Sequence, residues 1–417
     1  MKRVVLFFMT NTMKPSGFYG LGIAPRILEV LERAKFVTPT PIQRKSIPAA
    51  IEGKDLIGIA QTGTGKTLAF GVPMIQRLAQ VKGRGLIVLP TRELALQVDE
   101  MLHTVGRPLG LRTAVLIGGA PIGRQKQMLK RHPHILIATP GRLIDHLEQK
   151  TLSLGDVRIL ILDEADRMLD MGFAPQLQRI LKVVPRERQT MLFSATMPDK
   201  IISLARGHMK LPVRIEVAPS GTAPERVTHE LFVVKREDKP RLLDKLLQTY
   251  RGSVLVFSRT KFSVKRIAHA LRSAGERAAE LHSNRSLSQR RAALDGFKSG
   301  KYRVLVATDI AARGIDVAHI ELVVNYDIPE NPDDYVHRIG RTGRAGSAGH
   351  AISFATADQG ADVRAIEKLV RVNLPISKLP ELPPPWPAPQ AKPFGEKRPR
   401  PHRRGVFNKT RGRARHF

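Results

Sequence analysis

Three carboxylates follow a short apolar run in the stretch ILILDEADRML, residues 159–169. The acids are Asp163, Glu164 and Asp166, and four apolar residues stand directly before them. Carboxylates at this density suit a solvated loop, a metal site or an acid–base pair, and the stretch alone does not choose among the three. The choice depends on which other residues the fold brings to the end of the same strand.

A second stretch, AQTGTGKT at residues 60–67, has the composition and spacing of a phosphate-binding loop. It follows the apolar run DLIGIA and precedes the helical pattern LAFGVPMIQRLAQ. In this context backbone N–H groups and the helix N-terminus bind phosphates, the lysine reaches the outer phosphates and the threonine hydroxyl binds Mg²⁺. Ala60 stands where such loops usually begin with glycine. The residues predicted to bind the nucleotide here are Thr62, Gly63, Thr64, Gly65, Lys66 and Thr67.

The two stretches belong together if their strands end at one edge of one sheet, because ligands of open α/β sheets bind at the carboxyl ends of the strands. A phosphate-binding loop needs an acidic partner for Mg²⁺. Asp163 is the first polar residue after its strand, and we predict that it holds the metal together with Thr67. Glu164 is predicted to polarise the attacking water. Lys66, Asp163 and Glu164 are therefore the predicted catalytic residues of this half of the site.

Short runs rich in Val, Ile and Leu alternate with helix-like segments along most of the chain. Near-continuous apolar strands separated by helical segments of about 10 to 15 residues are typical of a parallel sheet covered on both faces. The pattern predicts an α/β fold with two tandem domains, residues 1–216 and 228–372, joined by a linker at residues 217–227. Residues 373–417 are Pro-rich and then Arg- and Lys-rich, and we expect a disordered basic tail.

The composition bounds the class of partner. The chain has 417 residues and a formal charge of +32, from 69 Lys and Arg against 37 Asp and Glu, which favours a polyanion such as nucleic acid or an anionic membrane surface. No apolar run approaches the ~18 residues of a membrane span, and the absence of cysteine excludes disulfides and thiolate metal sites. The six apolar residues at positions 4–9 are fewer than the roughly 7 to 15 of a secretory signal, and Met13 is an alternative start. We expect a cytoplasmic protein.

Four motifs occur in a fixed order along the chain: AQTGTGKT at 60–67, DEAD at 163–166, SAT at 194–196 and HRIGRTGR at 337–344. With these motifs the chain resembles the DEAD-box RNA helicases, from about residue 18 to about residue 372. The resemblance implies two RecA-like domains, ATP and Mg²⁺ as cofactors, and RNA as the partner. The tail and the short core are similar to those of the RhlE-type bacterial branch of the family.

The segment GFYGLGIAPRILEVLERAKFVTPTPIQ, residues 17–43, resembles the family's Q motif. By this resemblance Phe18 stacks on adenine and Gln43 hydrogen-bonds to it. An amide side chain offers both a donor and an acceptor, which matches the adenine edge and favours ATP over GTP. Lys35 stands where the family usually has glycine, a departure that leaves Gln43 in place.

The motif HRIGRTGR supplies arginines from the second domain, and the resemblance assigns Arg341 and Arg344 to the γ-phosphate. A guanidinium is planar and always charged, and one that stabilises a transferring phosphoryl group is worth about 10³ to 10⁵ in rate. Since the phosphate-binding loop lies in the first domain, the site is expected to be complete only when the domains close. The remaining assignments are Gly314 and Asp316 near the γ-phosphate and ribose, and Asp166, Ser194, Thr196 and His337 for coupling to domain movement.

The family pattern also assigns a set of RNA contacts. The predicted contacts are Thr91, Arg92, Gly118, Gly119, Thr139 and Arg142 in the first domain and Ser258, Arg259, Arg290 and Thr308 in the second. Leu287 stands where the family often has glutamine, three residues before Arg290. Contacts to phosphate and 2′-OH distinguish RNA from DNA without specifying a base sequence.

These features predict an ATP-dependent RNA helicase that acts on single strands and short duplexes. Differential binding of about 5.5 kcal/mol switches a two-state equilibrium, and at about 1.4 kcal/mol per stacked step this permits roughly four base pairs per closure. An RNA-binding chaperone or scaffold whose ATPase times release is an alternative, because residues 391–417 carry ten Lys or Arg against one acid and are expected to tether RNA. A translocating DNA helicase is a further alternative, against which the Q motif and DEAD argue.

Overall fold

The computed structural model describes residues 17–61, 63–217, 227–312, 317, 320–343 and 348–384. The predicted site residues Thr62, Gly314, Asp316 and Arg344 lie outside the described residues, as do residues 218–226 of the predicted linker and the tail from residue 385 onwards.

The first domain is a parallel sheet with helices on both faces. Its strands are β1 (Leu56–Ile59), β2 (Arg84–Val88), β3 (Thr113–Leu116), β4 (Ile135–Ala138), β5 (Val157–Leu162), β6 (Gln189–Ser194) and β7 (Val213–Glu216). Its helices are α1 (Pro25–Arg33), α2 (Pro41–Ile51), α3 (Lys66–Leu78), α4 (Arg92–Gly106), α5 (Ile122–Leu129), α6 (Pro140–Glu148), α7 (Ala165–Asp170), α8 (Ala174–Val183) and α9 (Asp199–His208), with a 3-10 turn at Arg107–Leu109.

The strands of this sheet are ordered β3-β4-β2-β5-β6-β1-β7, and every pairing is parallel. Neighbouring residues of a strand point to opposite faces, so Ile159 and Ile161 of β5 join one apolar core while Leu160 and Leu162 join the other. The apolar runs are thus buried on both sides, as the sequence predicts for a parallel sheet.

The second domain repeats this architecture with fewer strands. Its strands are β8 (Val227–Val233), β9 (Val254–Phe257), β10 (Ala278–Leu281), β11 (Val304–Ala307), β12 (Leu322–Asn325) and β13 (Gly349–Ala355), in the order β10-β11-β9-β12-β13-β8. Its helices are α10 (Lys239–Thr249), α11 (Lys261–Ser273), α12 (Leu287–Lys298), α13 (Asp309–Ala312), α14 (Pro332–Ile339) and α15 (Gly360–Val370), with a 3-10 turn at Ala357–Gln359. No helix in the described ranges is long and apolar enough to cross a membrane.

Residues 373–384, which the sequence predicts as the start of the disordered tail, instead lie along the second sheet. We call this segment the C-terminal strap. Leu374 is buried in the core, and Ile376 forms a parallel bridge with Leu231 of β8. Arg241 donates to the carbonyl of Pro383 at 2.6 Å. The tail boundary predicted from composition is therefore too early, because a few apolar residues and backbone hydrogen bonds suffice to fix a Pro-rich segment.

Candidate active site

The strand order of the first sheet divides its carboxyl-end loops into two groups. β5, β6 and β1 are neighbours, and the loops after them carry DEAD, SAT and the phosphate-binding loop. β3, β4 and β2 are neighbours in the other half, and the segments after them carry Gly118, Thr139 and Thr91. The predicted nucleotide contacts thus lie together in one half of the edge and the predicted RNA contacts in the other.

Two left-handed glycines shape the phosphate-binding loop. Gly63 and Gly65 both have a φ of 87°, a conformation that residues with a Cβ rarely adopt. A Cβ on Gly65 would also collide with the side chain of Gln43. Helix α3 begins at Lys66, so the loop ends at free N–H groups of a helix N-terminus. Lys66 is buried and its Nζ donates to the carbonyl of Ala60 at 3.1 Å, which holds the ammonium at the loop.

Gln43 connects the Q-motif segment to this loop. Its Oε1 accepts a hydrogen bond from the backbone N–H of Thr40 at 2.9 Å, and its Nε2 donates to the carbonyl of Gly65 at 2.9 Å. Each contact uses one lone pair or one N–H, so the amide retains one of each for a base edge. The side chain can therefore hold the loop and contact a base at the same time.

A cleft of about 310 Å³ opens over the phosphate-binding loop, and Lys66, Thr67, Asp163 and Glu164 line its floor. Two aromatic side chains, Phe18 and Phe36, also line it. Phe18 is only 1% exposed and belongs to the hydrophobic core, whereas Phe36 is half-buried. Phe36 is not among the predicted site residues. The position of this aromatic residue directly before the VTPTPIQ segment is the sequence feature from which its place in the cleft could have been predicted.

Asp163 is a buried carboxylate that suits a bound cation. Its Oδ1 accepts only the backbone N–H of Glu164, at 3.0 Å, among the hydrogen bonds of the described residues. Burial raises its pKa to about 6, although nearby Lys66 acts in the opposite direction. The described residues contain no cluster of three or more His, Cys, Asp and Glu that could enclose a metal. One carboxylate and Thr67 at a phosphate-binding loop fit Mg²⁺, which protein sites usually share with substrate phosphates.

Asp166 joins the end of β5 to the end of β6. Its Oδ2 accepts from the N–H of Ala195 at 3.0 Å, from the N–H of Thr196 at 2.8 Å and from the Thr196 hydroxyl at 2.9 Å. The hydroxyl of Ser194 accepts from the N–H of Asp166 at 3.3 Å. The structure therefore brings DEAD and SAT together through Asp166, as the sequence predicts, and this carboxylate is fully engaged.

Two buried arginines of the second domain, Arg338 and Arg341, lie near the end of helix α14 and just after it. Arg341 is 2% exposed, and its Nε donates to the carbonyl of His337 at 3.2 Å. Arg338 forms a bidentate pair with Asp309, at 2.5 and 2.8 Å. Arg338 is thus paired within its own domain, and Arg341 is the residue that the family pattern assigns to the γ-phosphate.

The DEAD segment of the first domain lies against α14. Arg167 lines one small cavity together with His337 and Arg341. Burial raises the pKa of Asp333 on α14, and the carboxylate of Asp166 adds to this effect across the domain boundary. The two halves of the predicted catalytic centre are therefore adjacent in the structure.

Arg92 and Arg142 flank the loop after β3. A Cβ on Gly118 would lie 3.0 Å from Nη2 of Arg92, and one on Gly119 would collide with the same guanidinium. Gly119 also has a φ of 76°. Arg142 donates to the carbonyl of Ala120 at 3.0 Å. The guanidinium of Arg92 thus packs directly against the backbone at these two glycines, and together with Arg142 it forms a basic edge.

Thr91 and Thr139 are the residues that precede α4 and α6. The Thr91 hydroxyl accepts from the N–H of Leu94 at 3.3 Å. Helix N-termini present free N–H groups and a positive dipole end, which suit phosphate. Two helix starts and two arginines thus converge at the half of the edge where RNA contacts are predicted.

Comparison with known proteins decides the family. Residues 40–204 match the DEAD/DEAH box helicase family, and residues 238–346 match the helicase conserved C-terminal domain. The ATP-dependent rRNA helicase RRP3 of Debaryomyces hansenii is 43% identical over 370 residues, which cover 88% of this chain and 78% of that protein. This chain belongs to the DEAD-box family of ATP-dependent RNA helicases.

Two further comparisons agree with this assignment. The DEAD-box ATP-dependent RNA helicase CshA of Geobacillus kaustophilus is 42% identical over 369 residues, which cover 88% of this chain and 79% of that protein. The structure is similar to that of S. cerevisiae Dbp5 bound to RNA and ADP BeF3, with a TM-score of 0.79 and 29% identity over 87% of this chain and 95% of that chain. The predicted pair of RecA-like domains is confirmed. The placement in the RhlE-type branch is not confirmed.

In the second domain of this DEAD-box helicase, the predicted RNA residues differ in accessibility. Arg259 is exposed after β9, and Thr308 is half-buried after the neighbouring strand β11. Ser258 is fully buried, and its hydroxyl donates to Asp327 at 2.7 Å. Burial raises the pKa of Asp327, but hydrogen bonds from Ser258 and the Arg259 N–H, together with Lys239, outweigh it and lower the pKa overall. The Ser258 side chain therefore positions its neighbours and does not itself reach the surface.

Arg290, a predicted RNA contact, pairs in this structure with a carboxylate of the first domain. Its Nη2 donates to Oε2 of Glu93 at 2.7 Å, which joins α12 of the second domain to α4 of the first. Both side chains are mostly buried. Burial lowers the pKa of Arg92, and the nearby positive charge of Arg290 adds to this effect. In this arrangement of the helicase, Arg290 connects the domains beside the predicted RNA edge and is engaged by a carboxylate.

Proposed function

We propose that this helicase hydrolyses ATP only when its two domains meet, and that it uses this closure to separate short RNA duplexes locally. The cavity shared by Arg167 of the first domain and Arg341 of the second carries the proposal. Since the phosphate-binding loop and Arg341 belong to different domains, their distance is set by domain placement. The similarity to Dbp5 bound to RNA and ADP BeF3 supports a closed arrangement.

In the proposed reaction, Lys66 leaves the carbonyl of Ala60 and pairs with the outer phosphates of ATP. Glu164, buried beside the cleft, orients the attacking water. Arg341 stabilises the negative charge that spreads over the transferring phosphoryl group. Mg²⁺, which Asp163 and Thr67 fit, supplies charge neutralisation on the phosphates when bound. Residues Thr62, Arg344, Gly314 and Asp316 keep their family roles as predictions.

For the base, we assign hydrogen bonding to Gln43 and stacking to Phe36. The exposed face of Phe36 in the cleft supports this assignment, whereas Phe18 is enclosed by the core. Phe18 then acts by supporting the wall of the cleft. This division alters the stacking role that the Q-motif resemblance gives to Phe18.

For RNA, we propose a path over the carboxyl-end loops of both sheets. In the first domain it uses the helix starts at Thr91 and Thr139, the guanidinium groups of Arg92 and Arg142 and the Gly118–Gly119 backbone. In the second it uses Arg259 and Thr308, which are accessible. Contacts of this kind to phosphate and ribose carry no base sequence. The tail from residue 385, the linker at residues 217–227 and a cytoplasmic location remain predictions from sequence.

The test is an RNA unwinding series with the wild-type protein and Glu164→Gln. We expect ATP hydrolysis to require single-stranded or duplex RNA, and unwinding to fall steeply as a blunt duplex grows beyond about one helical turn, because each closure frees roughly four base pairs. Glu164→Gln should bind ATP and RNA but hydrolyse slowly. Equal unwinding of short and long duplexes would contradict local action, and ATPase stimulation by DNA but not RNA would contradict the substrate.

A further inference from the structure

Arg167, which directly follows DEAD in the sequence, has no role in the proposed reaction. Arg167 is 1% exposed, and its side chain is among the largest fully buried ones in the described residues. It lies on α7, whose neighbouring residues Ala165 and Met168 pack into the apolar core. A guanidinium is always charged, so burying one is unfavourable unless charged partners surround it.

The guanidinium has one ion pair and two unpartnered nitrogens. Its Nε lies 3.7 Å from Oε2 of Glu164, an ion-pair distance that is too long for a hydrogen bond. Within the described residues, neither Nη1 nor Nη2 of Arg167 has a hydrogen-bond partner. The guanidinium therefore faces Glu164 with its Nε, and its Nη1 and Nη2 face away from Glu164.

The other side of the Arg167 guanidinium is enclosed by the second domain. Every other described residue that lines the cavity around Arg167 comes from that domain, and the ionisable ones among them are Asp309, Asp334, His337, Arg338 and Arg341. Asp309 is held by Arg338, and Oδ1 of Asp334 lies 4.0 Å from Nδ1 of His337 on the same helix. Arg167 thus stands between Glu164 on one side and α14 on the other.

Glu164 itself needs external support. Its backbone has a φ of 51°, a left-handed conformation that is unusual for a residue with a Cβ. It stands at the start of a six-residue helix, where the short α7 offers little rigidity of its own. A side chain that fixes the Glu164 carboxylate is therefore of value to a reaction that depends on the position of one water.

The geometry points to Arg167 as a positioning residue that fixes the Glu164 carboxylate when α14 of the second domain encloses its guanidinium. This inference rests on the proposed role of Glu164 in orienting water. When the domains separate, the outer nitrogens face water and the guanidinium is free to leave Glu164. Docking of α14 removes that freedom. Hydrolysis, but not ATP binding, thereby depends on domain contact through a first-domain residue as well as through Arg341.

The test measures RNA-stimulated ATP hydrolysis and ATP binding for Arg167→Gln and Arg167→Lys. We expect Arg167→Gln to lower kcat about 10²-fold, the usual effect of a misplaced catalytic group, while KM for ATP stays within about twofold. Arg167→Lys keeps the charge and should recover a large part of the rate. The matched control is Arg179→Gln, which removes an exposed ion pair with Glu148 in the same domain and should leave kcat unchanged.

A second measurement separates positioning from a merely structural role. In a Glu164→Gln background, Arg167→Gln should cause no further loss of kcat, because the carboxylate that it positions is already absent. Asp334→Asn should lower the RNA-stimulated rate and leave ATP binding unchanged. Additive losses in the double variant, or equal loss in Arg167→Lys and Arg167→Gln, would overturn the inference. If Glu164→Gln alone kept full activity, the proposed function would fail first, and the two failures are thus distinguishable.

Discussion

The two RecA-like domains share an architecture but contribute opposite charges to their common interface. The first domain brings buried carboxylates, namely Glu93, Asp163, Glu164 and Asp166, at the ends of its strands and the start of α4. The second brings buried guanidinium groups, namely Arg290, Arg338 and Arg341. A buried charge is costly alone and tolerable beside its opposite. Of these groups, Glu93 and Arg290 neutralise each other across the interface, whereas Asp166 and Arg338 are already held within their own domains. The difference teaches that contact between the domains matches charge at the RNA edge, while the charges beside the ATP cleft are largely ordered before the domains meet.

The largest expected effect on activity comes from removing Arg341, the arginine of the second domain that contacts the phosphoryl group in the proposed reaction. Arg341→Ala should lower RNA-stimulated kcat by about 10³ to 10⁵, because transition-state charge loses its partner. ATP binding should stay close to wild type, since the phosphate-binding loop lies wholly in the first domain. Stopped-flow binding of a fluorescent ATP analogue, beside steady-state hydrolysis, measures both. A rate within tenfold of wild type would show that another group supplies this charge.

The Glu93–Arg290 pair tests whether charge matching also governs closure away from ATP. Either Glu93→Gln or Arg290→Gln should weaken RNA binding in the presence of an ATP analogue by about 10²-fold, because the remaining charge is buried without its partner. The double variant should recover part of the affinity. Fluorescence anisotropy with labelled RNA measures the cycle.

The matched control for this cycle is the exposed pair of Lys210 and Glu187, both in the first domain, where the double cycle should show little coupling. If Arg290→Gln weakened RNA binding as strongly without nucleotide as with it, Arg290 would be a direct RNA contact and the interdomain assignment would be wrong.

Phe36 and Phe18 allow a similar comparison within the first domain. Phe36 is proposed to stack on the base of ATP, whereas Phe18 packs in the hydrophobic core. Phe36→Ala should weaken ATP binding about tenfold, in line with about 1 to 3 kcal/mol for stacking on a base, and leave the melting temperature nearly unchanged. Phe18→Ala should reduce the free energy of unfolding by about 3 to 5 kcal/mol. Calorimetric titration and thermal denaturation measure the two effects. A reversed pattern would return adenine stacking to Phe18.

The smallest expected effect is a dependence of stability on pH. Burial, aided by Arg142, lowers the pKa of His146 below its ordinary 6.5, although Asp145 acts in the opposite direction. At His146 the folded state therefore binds fewer protons than the unfolded state below pH 6.5, so the contribution of His146 to stability should fall as the pH drops from 6.5 and stay constant above it. The slope cannot exceed about 1.4 kcal/mol per pH unit for this group. Urea denaturation of wild type and His146→Gln between pH 5 and 8 measures it, and equal slopes would remove His146 as the cause.

The sequence was sufficient where function depends on local geometry. The phosphate-binding loop needs left-handed glycines before a helix, and the order of residues 60–67 specifies this directly. The contact of Asp166 with Thr196 was expected from the family, and adjacency of β5 and β6 places the two loops together. The parallel sheets followed from apolar runs that are buried on both faces.

Other features depend on packing between distant segments, which a sequence pattern does not specify. Ser258 and Arg290 occupy family RNA positions, yet one donates to Asp327 and the other to Glu93, 197 positions away along the chain. Phe36 and Phe18 are both aromatic residues of the Q-motif segment, and only their burial separates their roles. Nothing in the sequence around Arg167 marks it as buried, and its enclosure depends on the approach of α14 from the second domain.

The C-terminal strap has a consequence for solubility. β8 is the outermost strand of its sheet, and an uncovered strand edge is a template for pairing with another chain. The strap occupies that edge, since the N–H of Leu231 donates to the carbonyl of Pro375 and the N–H of Ser377 donates to the carbonyl of Leu231, both at 2.9 Å. A short Pro-containing segment thus covers an edge that could otherwise pair with a second copy, and a chain truncated before this segment would expose the edge of β8.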